Sequence, residues 1–527
     1  MLQDTDKREL IKDWVLGVAL FVTALALRIP YLWIIPRHID ELKEVKVAFD
    51  IYRGVSLPLH NAAWDIGAMH NYILSFIFWM FGPSTDAPRL YVAIVSALTV
   101  VAVYFLGKKM FGFWVGLLTA GLLLTSGMHI MVSHMAWANC TTPFFFVLAM
   151  LALLAAERRK DGKWLIASAF LWALTLQTHS SVVIYILVAF VYATGPHFRE
   201  AMGSIRWYYG AAMAFAVGYA NMIYFNLIQE PFGSLFFIAK KSYALETKPG
   251  LMSFLENANQ MLIEMLRTIS ATYQSHAHFW QYLQHPLFTL STIVLVIGIY
   301  YAFERKYSLP FWMIVGSLAI MPWINQRYVF FLATRYIIPV VICALLLVSL
   351  AVVEMSAAAQ KKFNRRPVYA VTGVIMALFV FWQVIPFYEY CEKLAGTNLT
   401  NEISRQIIST INTQYNNQTT VYVDAHLPIE NSPMPYLLEL DGKKYQVIGK
   451  LGGDLKPAEI KEWHQALKAA NGRDTIAILA NRSYLTLKDS VKNNKIQVFS
   501  CRVVDKGKTS TRRVYLVQVH GILTNIH

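Results

Sequence analysis

Stretches of about twenty apolar residues recur along this chain, the length an α-helix needs to cross about 30 Å of hydrocarbon. In lipid a backbone must satisfy its own hydrogen bonds, so repeated runs of this kind leave a bundle of spanning helices as the fold. The runs cover residues 14–33, 90–111, 113–131, 142–156, 164–176, 182–194, 208–227, 287–302, 310–323, 336–353 and 368–387. They predict a polytopic α-helical membrane protein of about 11 transmembrane helices. Composition agrees: 56% of the 527 residues are hydrophobic and 15% are charged, where a soluble domain carries about a quarter charged.

A further apolar stretch, 72–81, is short and reads as an interfacial or re-entrant helix. Charge supports that assignment. With the N-terminus in the cytoplasm, the inner loops hold Lys108-Lys109, Arg158-Arg159-Lys160, the 199–206 segment, Arg305-Lys306, and Lys361-Lys362 with Arg365-Arg366. Every strongly basic short loop then lies inside, as the positive-inside rule requires. Counting 72–81 as a full span would move all of them to the other face. The net charge of +15 is thus distributed as topology demands, in short clusters with no single patch, which argues against nucleic acid as a partner.

This orientation, in a cytoplasmic (inner) membrane, divides the chain. Residues 1–387 form the transmembrane domain, with two large outer loops at 36–87 and 229–285, and 388–527 form an extracytoplasmic domain. That domain alternates short β-type runs at 420–423, 445–448, 475–479, 496–499 and 514–519 with a helical stretch near 457–470, the pattern of a small α/β domain. It contains Cys391 and Cys501, as a disulfide or as two free thiols. The polar start, 1–13, precedes a run with no small-residue cleavage site after it, so the first span is expected to be retained. Neither a phosphate loop nor a dinucleotide fingerprint occurs.

Chemistry concentrates where the first span ends, in Arg37-His-Ile-Asp-Glu-Leu-Lys-Glu-Val45. Ile39, Leu42, Val45, Ala48, Ile51 and Tyr52 recur at three-to-four spacing, predicting a helix on the membrane surface with Asp40 and Glu44 on one face. A carboxylate held at that border can act as a general base. Alternatively Asp40 caps the helix, and Glu41 and Glu44 favour its first turn. Arg335 and Arg89 head spans at their outer ends, where a guanidinium can bind a lipid phosphate or anchor in the headgroups. Lys240 and Lys241 have the same two readings. His38, His60, His70, His129, His134 and His179 gather on the outer side at spacings that match no zinc pattern.

The order of these features resembles the GT-C superfamily of membrane glycosyltransferases, in the branch related to protein O-mannosyltransferases and aminoarabinose transferases. The resemblance rests on Asp40-Glu41 after the first span, Phe81-Gly82 closing the interfacial helix, and Ala87-Pro-Arg-Leu90 opening the next span. Leu106-Gly-Lys-Lys-Met-Phe-Gly112, Gln177-Thr-His179, and Arg335-Tyr336 before a span with Pro339 complete it, over residues 25–350. It implies transfer of a sugar from a polyprenyl-phosphate donor to a hydroxyl of a protein, lipid or polysaccharide acceptor on the outer face, with inversion. It makes Asp40 the catalytic carboxylate and Glu41 its partner or an acceptor-binding group. Arg335, Arg89, Lys240 and Lys241 would meet the donor phosphate, and His38, Glu44, His134, Asn139 and Tyr336 would line the donor or acceptor pocket.

Two departures from the family qualify this. Many relatives carry a second acid between the third and fourth spans, but His129-Ile-Met-Val-Ser-His-Met-Ala-Trp-Ala-Asn139 has none, and Asn139 is the nearest stand-in. This disfavours a tightly bound divalent metal, which wants several hard oxygen ligands, but leaves it open, and no cofactor is assigned. A Lys-Pro-Pro-type motif is also replaced by Ile66-Gly-Ala-Met69. The rival reading is a lipid or glycan transporter or flippase, which would place ionisable residues deep in several spans. Here the span interiors are nearly free of charge.

Overall fold

The computed structural model describes residues 4–33, 35, 39–243, 250–272, 279–324, 335–361 and 365–395. Beyond these it describes 409, 411, 420–424, 438–439, 445–448, 458, 461–463, 465, 475–480, 498–504 and 514–519. The chain divides into two compact units. One comprises Met1–Pro30, Asp50–Phe76 and Arg89–Tyr388, and the other Tyr31–Phe49, Ile77–Pro88 and Glu389–His527.

The helices are α1 (Asp4–Arg28), α2 (Ile39–Tyr52), α3 (Met69–Phe81), α4 (Ala87–Phe111), α5 (Phe113–Thr125), α6 (Gly127–Val132), α7 (Thr142–Arg159), α8 (Gly162–Thr178), α9 (Val183–Thr194) and α10 (Pro196–Met202). They continue as α11 (Arg206–Gly218), α12 (Ala220–Tyr224), α13 (Gly233–Tyr243), α14 (Leu251–Ser270), α15 (Phe279–Leu283), α16 (Pro286–Glu304), α17 (Leu309–Ile324), α18 (Ile338–Gln360) and α19 (Arg365–Ala395). Among the described residues five helical segments are long and apolar enough to cross a membrane: Ala87–Phe111, Ala138–Arg159, Pro286–Glu304, Arg335–Gln360 and Ala370–Glu389. The total is seven if Ser180–Thr194 with Pro196–Met202 and Arg206–Gly218 with Ala220–Gln229, bent by 69° and 76°, each count as one span. The protein is therefore a polytopic helical membrane protein.

All eleven expected stretches fall on helix, but several are shorter or broken. The 113–131 run parts at Ser126, whose extended backbone (φ −60°, ψ 110°) separates α5 from α6. Another break comes at Gly195, where Pro196 opens a new helix at a position that needs no N–H. The 72–81 stretch lies in α3, 13 residues long and too short to cross.

Helix α18 is the axis of the first unit, every residue from Ile338 to Leu347 being buried. Helix α16 approaches it so closely at Gly298 that a Cβ there would lie 2.0 Å from the Leu347 carbonyl oxygen. Contacts also gather the basic loops. Lys108 Nζ pairs with Asp13 at 2.6 Å, Tyr104 donates to the same carboxylate at 2.6 Å, and Arg158 reaches Met110 O at 3.5 Å while lying 5.3 Å from the Tyr307 ring centre.

The second unit contains a five-stranded sheet ordered β2-β1-β3-β5-β4, with β1 Thr420–Asp424, β2 Tyr445–Ile448, β3 Thr475–Ala480, β4 Val498–Val504 and β5 Val514–Val519. Strand β1 runs parallel to β2 and β3, and β5 runs antiparallel to β3 and β4. Four consecutive buried residues in β1, Val421–Asp424, mark it as covered on both faces. Trp463, in the expected helical stretch, is fully buried, its ring 6.3 Å from that of Tyr422. Strand β4 extends past the apolar run ending at Phe499, because Cys501 and Val503 continue the alternation through Ser500 and Arg502. Cys391 is a buried free thiol, and burial pushes its pKa up to about 12.

Candidate functional site

In the second unit, α2 places Asp40 and Glu41 in its first turn, where negative charge meets the positive end of the helix dipole. The two carboxylates differ sharply in setting. The Asp40 side chain is 51% exposed, with Lys43 Nζ 3.8 Å away one turn on. Glu41 is fully buried, and Glu44 nearly so. The buried face of this helix thus includes Glu41 and Glu44 beside Val45, Ala48 and Phe49. Lys46 ties α2 to Glu439 at 3.0 Å, and Tyr445 of β2 donates to the other oxygen of that carboxylate at 3.1 Å. His38 lies outside the described residues. Lys240 and Lys241 fall near the end of α13.

In the first unit, the remaining candidates sit where several helix ends meet. Arg335 precedes α18 with its guanidinium carbon 4.1 Å from the Trp137 ring centre and 4.3 Å from that of Tyr336. It also donates to the Tyr336 hydroxyl. On the far side of Tyr336 lies His179, ring centres 4.5 Å apart. Its Nδ1 accepts from Ser181 N at 3.1 Å, capping a short 3₁₀ turn, Ser180–Val182. Trp137 itself is buried and leads into a second such turn, Ala138–Thr141, that carries buried Asn139.

His134 is fully buried, its Nδ1 2.7 Å from Ile130 O and its Nε2 2.8 Å from Pro30 O. Burial pushes its pKa down to about 4 against the pull of those carbonyls, and the nearby charges of Arg89 and Arg28 add to the push. A neutral ring donates to only one of these two carbonyls, and the contact with Pro30 O places His134 at the exit of α1. Arg89, the third residue of α4, is fully buried too.

Two residues that the sequence did not single out join this region. Arg28, the last residue of α1, is fully buried. It donates to Ser96 Oγ at 2.8 Å and Ala24 O at 2.9 Å, and meets His129 Nδ1 at 2.8 Å. Asp65 accepts from Ser180 Oγ at 2.7 Å. Its loop is latched to the end of α8, where Gly67 N donates to Gln177 O at 3.0 Å. A Cβ on Gly67 would lie 2.5 Å from Gln177 Oε1, so only glycine allows this approach. Gln177 is held in turn, donating to Gly218 O at 2.6 Å and accepting from Asn221 at 3.2 Å. Among the described residues, no three His, Cys, Asp or Glu side chains gather as metal ligands would.

A family model described as dolichyl-phosphate-mannose-protein mannosyltransferase matches residues 65–224. No curated protein sequence matches. The structure is similar to that of ArnT from Cupriavidus metallidurans, in the apo state with a TM-score of 0.61 and bound to undecaprenyl phosphate with 0.60. Both share 14% identity with this chain and cover 96% of it and 98% of ArnT. The Archaeoglobus fulgidus oligosaccharyltransferase in its apo form is also similar, with a TM-score of 0.52 and 11% identity over 89% of this chain and 69% of that one. The chain has the GT-C fold, in line with the resemblance in its sequence.

Proposed function

We propose that this protein is a membrane glycosyltransferase that moves a sugar from a polyprenyl-phosphate carrier to an acceptor hydroxyl on the outer face of the membrane. The observation that carries this reading is the coincidence of two likenesses on one chain. The mannosyltransferase family model matches 65–224, and nearly the whole fold follows that of ArnT, which has been seen with undecaprenyl phosphate. The Arg335 clamp fits such a carrier. Two aromatic rings flank its guanidinium, and that planar fork suits a phosphate.

In this reading Asp40 takes the acceptor's hydroxyl proton as the hydroxyl oxygen attacks the anomeric carbon. The bond from that carbon to the phosphate oxygen breaks, and its electron pair leaves with the carrier phosphate, inverting the centre. Arg335 neutralises the departing charge, and Arg89, fully buried, contributes through its field. Glu41 orients Asp40 or binds the acceptor. Base catalysis supplies on the order of 10²–10⁴-fold, and alignment with phosphate neutralisation supplies the rest. Eleven spans with a cytoplasmic N-terminus would set the chemistry outside, and the C-terminal domain would select the acceptor. Hexosyl and pentosyl donors both suit the scheme.

The test compares the glycans of cells expressing wild type with those of cells expressing Asp40→Asn or Glu41→Gln at equal level. Asp40→Asn should abolish a glycan that wild type makes. Matching profiles would end the assignment of Asp40 as the base.

A further inference from the structure

Asp65 is only 5% exposed. One of its oxygens accepts from Ser180, while the other, Oδ1, is buried with no hydrogen-bond partner among the described residues. A buried carboxylate oxygen without a donor is costly, and native proteins keep one where something else completes it. Asp65 sits on a backbone held at several points. Its loop is closed by a bridge between His60 and Gly67, by Asn61 N donating to Ile66 O at 2.8 Å, and by the latch from Gly67 to Gln177.

The position of this carboxylate is informative. Ser180, its donor, follows His179 directly, and His179 stacks on Tyr336, which holds Arg335. Side-chain contacts and one peptide step thus connect an anionic acceptor with a cationic fork. Next to Asp65 in sequence, Trp64 is 41% exposed, its ring stacked with Phe237 at 6.4 Å and met edge-on by Phe225 at 5.9 Å, with His60 4.7 Å from the same phenyl ring. A half-exposed tryptophan adjoining a carboxylate suits a sugar, whose C–H face can lie on an aromatic ring while its hydroxyls donate to the acid. A phosphate would be repelled there.

We infer that Asp65 binds the sugar of the donor, its Oδ1 accepting from a glycosyl hydroxyl, while Arg335 at the other end of that connection holds the phosphate. This rests on the glycosyltransferase reading and adds the residue that recognises the sugar. It also gives a chain with no acid between the third and fourth expected spans a second carboxylate for the site.

The test is a set of affinities measured on the purified full chain in detergent. The probes are undecaprenyl phosphate alone and the same carrier bearing mannose, glucose, galactose or arabinose. Wild type should bind at least one sugar-bearing carrier tighter than the bare one by on the order of 10–100-fold, the range for a hydrogen bond to a charged group. Asp65→Ala should bring that ratio near one, and Asp65→Asn should leave part of it. Both should bind bare undecaprenyl phosphate like wild type, which also shows that they fold. Arg335→Ala should weaken all probes alike and keep the ratio.

A ratio that survives Asp65→Ala, or a wild type that prefers no sugar-bearing carrier, overturns the inference and leaves the transferase reading standing. Loss of bare-carrier binding in both Asp65 variants makes the residue structural and overturns it too. A wild type that binds no carrier at all overturns both readings.

Discussion

Replacing Arg335 separates charge from geometry. Its guanidinium lies about equally far from two ring centres, 4.1 Å from Trp137 and 4.3 Å from Tyr336, so two aromatic rings hold it before any ligand arrives. Lysine keeps the charge but is a point donor with no fork. One of two charge-assisted hydrogen bonds to phosphate is then lost, worth about 1.5–3 kcal/mol, or about 10–150-fold in affinity. Alanine removes both bonds and the charge and should weaken binding by at least a further order of magnitude. Each ring face contributes about 0.5–2 kcal/mol to holding the side chain, so Arg335→Ala also lowers the thermal midpoint, and Arg335→Lys lowers it less. The assay is titration of the purified protein with undecaprenyl phosphate, with the thermal midpoint read on the same sample. An Arg335→Ala protein that binds the carrier as wild type does would refute the phosphate role. Equal losses from lysine and alanine would show that the fork, not the charge, is what matters.

Two further outcomes follow from the geometry. His70 and His134 are fully buried, and burial pushes both down to about 4. In the unfolded chain they protonate below about 6.5, so stability should fall as pH drops from there toward 4. Thermal midpoints at pH 7.5 and 5 should show the loss, and a His70→Gln/His134→Gln protein should show a shallower slope. Gly67→Ala would drive a Cβ to within 2.9 Å of Gln177 Cβ and Cγ, overpacking that should cost about 1–3 kcal/mol. A thermal midpoint unchanged from wild type would show that the loop shifts freely.

Much of the fold is visible in the sequence because a membrane-length apolar run is its own signal. The breaks are less visible: Pro196 after Gly195 can be read as a restart, but nothing in Leu124-Thr125-Ser126 announces an extended residue. Asp40 and Glu41 stand out as acids at the end of a span. That Glu41 and Glu44 turn inward does not, because charged residues count against burial in any periodicity argument. Arg28 reads as one snorkelling charge near a helix end, and only the contacts with Ser96 and His129 show it to be buried. Asp65 lacks any local motif. Its partner is 115 residues away in sequence, and folding alone brings them together.

The same contacts bear on transport as a rival. A flippase must move a charged headgroup through hydrocarbon and needs polar groups at depth to do so. In the first unit the buried arginines and histidines among the described residues lie near helix ends or in short helical turns. Arg28 closes α1, Arg89 opens α4 and His129 sits in short α6, and Arg28 meets His129 directly. Between α16, α18 and α19 there is a slot of about 550 Å³ lined by Leu287, Leu290, Val294, Val352, Ile375 and Trp382 among others. Its walls suit an apolar chain and offer a phosphate almost nothing. Proteoliposomes holding this chain should therefore flip a labelled undecaprenyl phosphate no faster than protein-free liposomes, as scored by accessibility to a membrane-impermeant quencher. A protein-dependent rate, unchanged by Asp40→Asn, would favour the transporter, because a carrier path needs no general base.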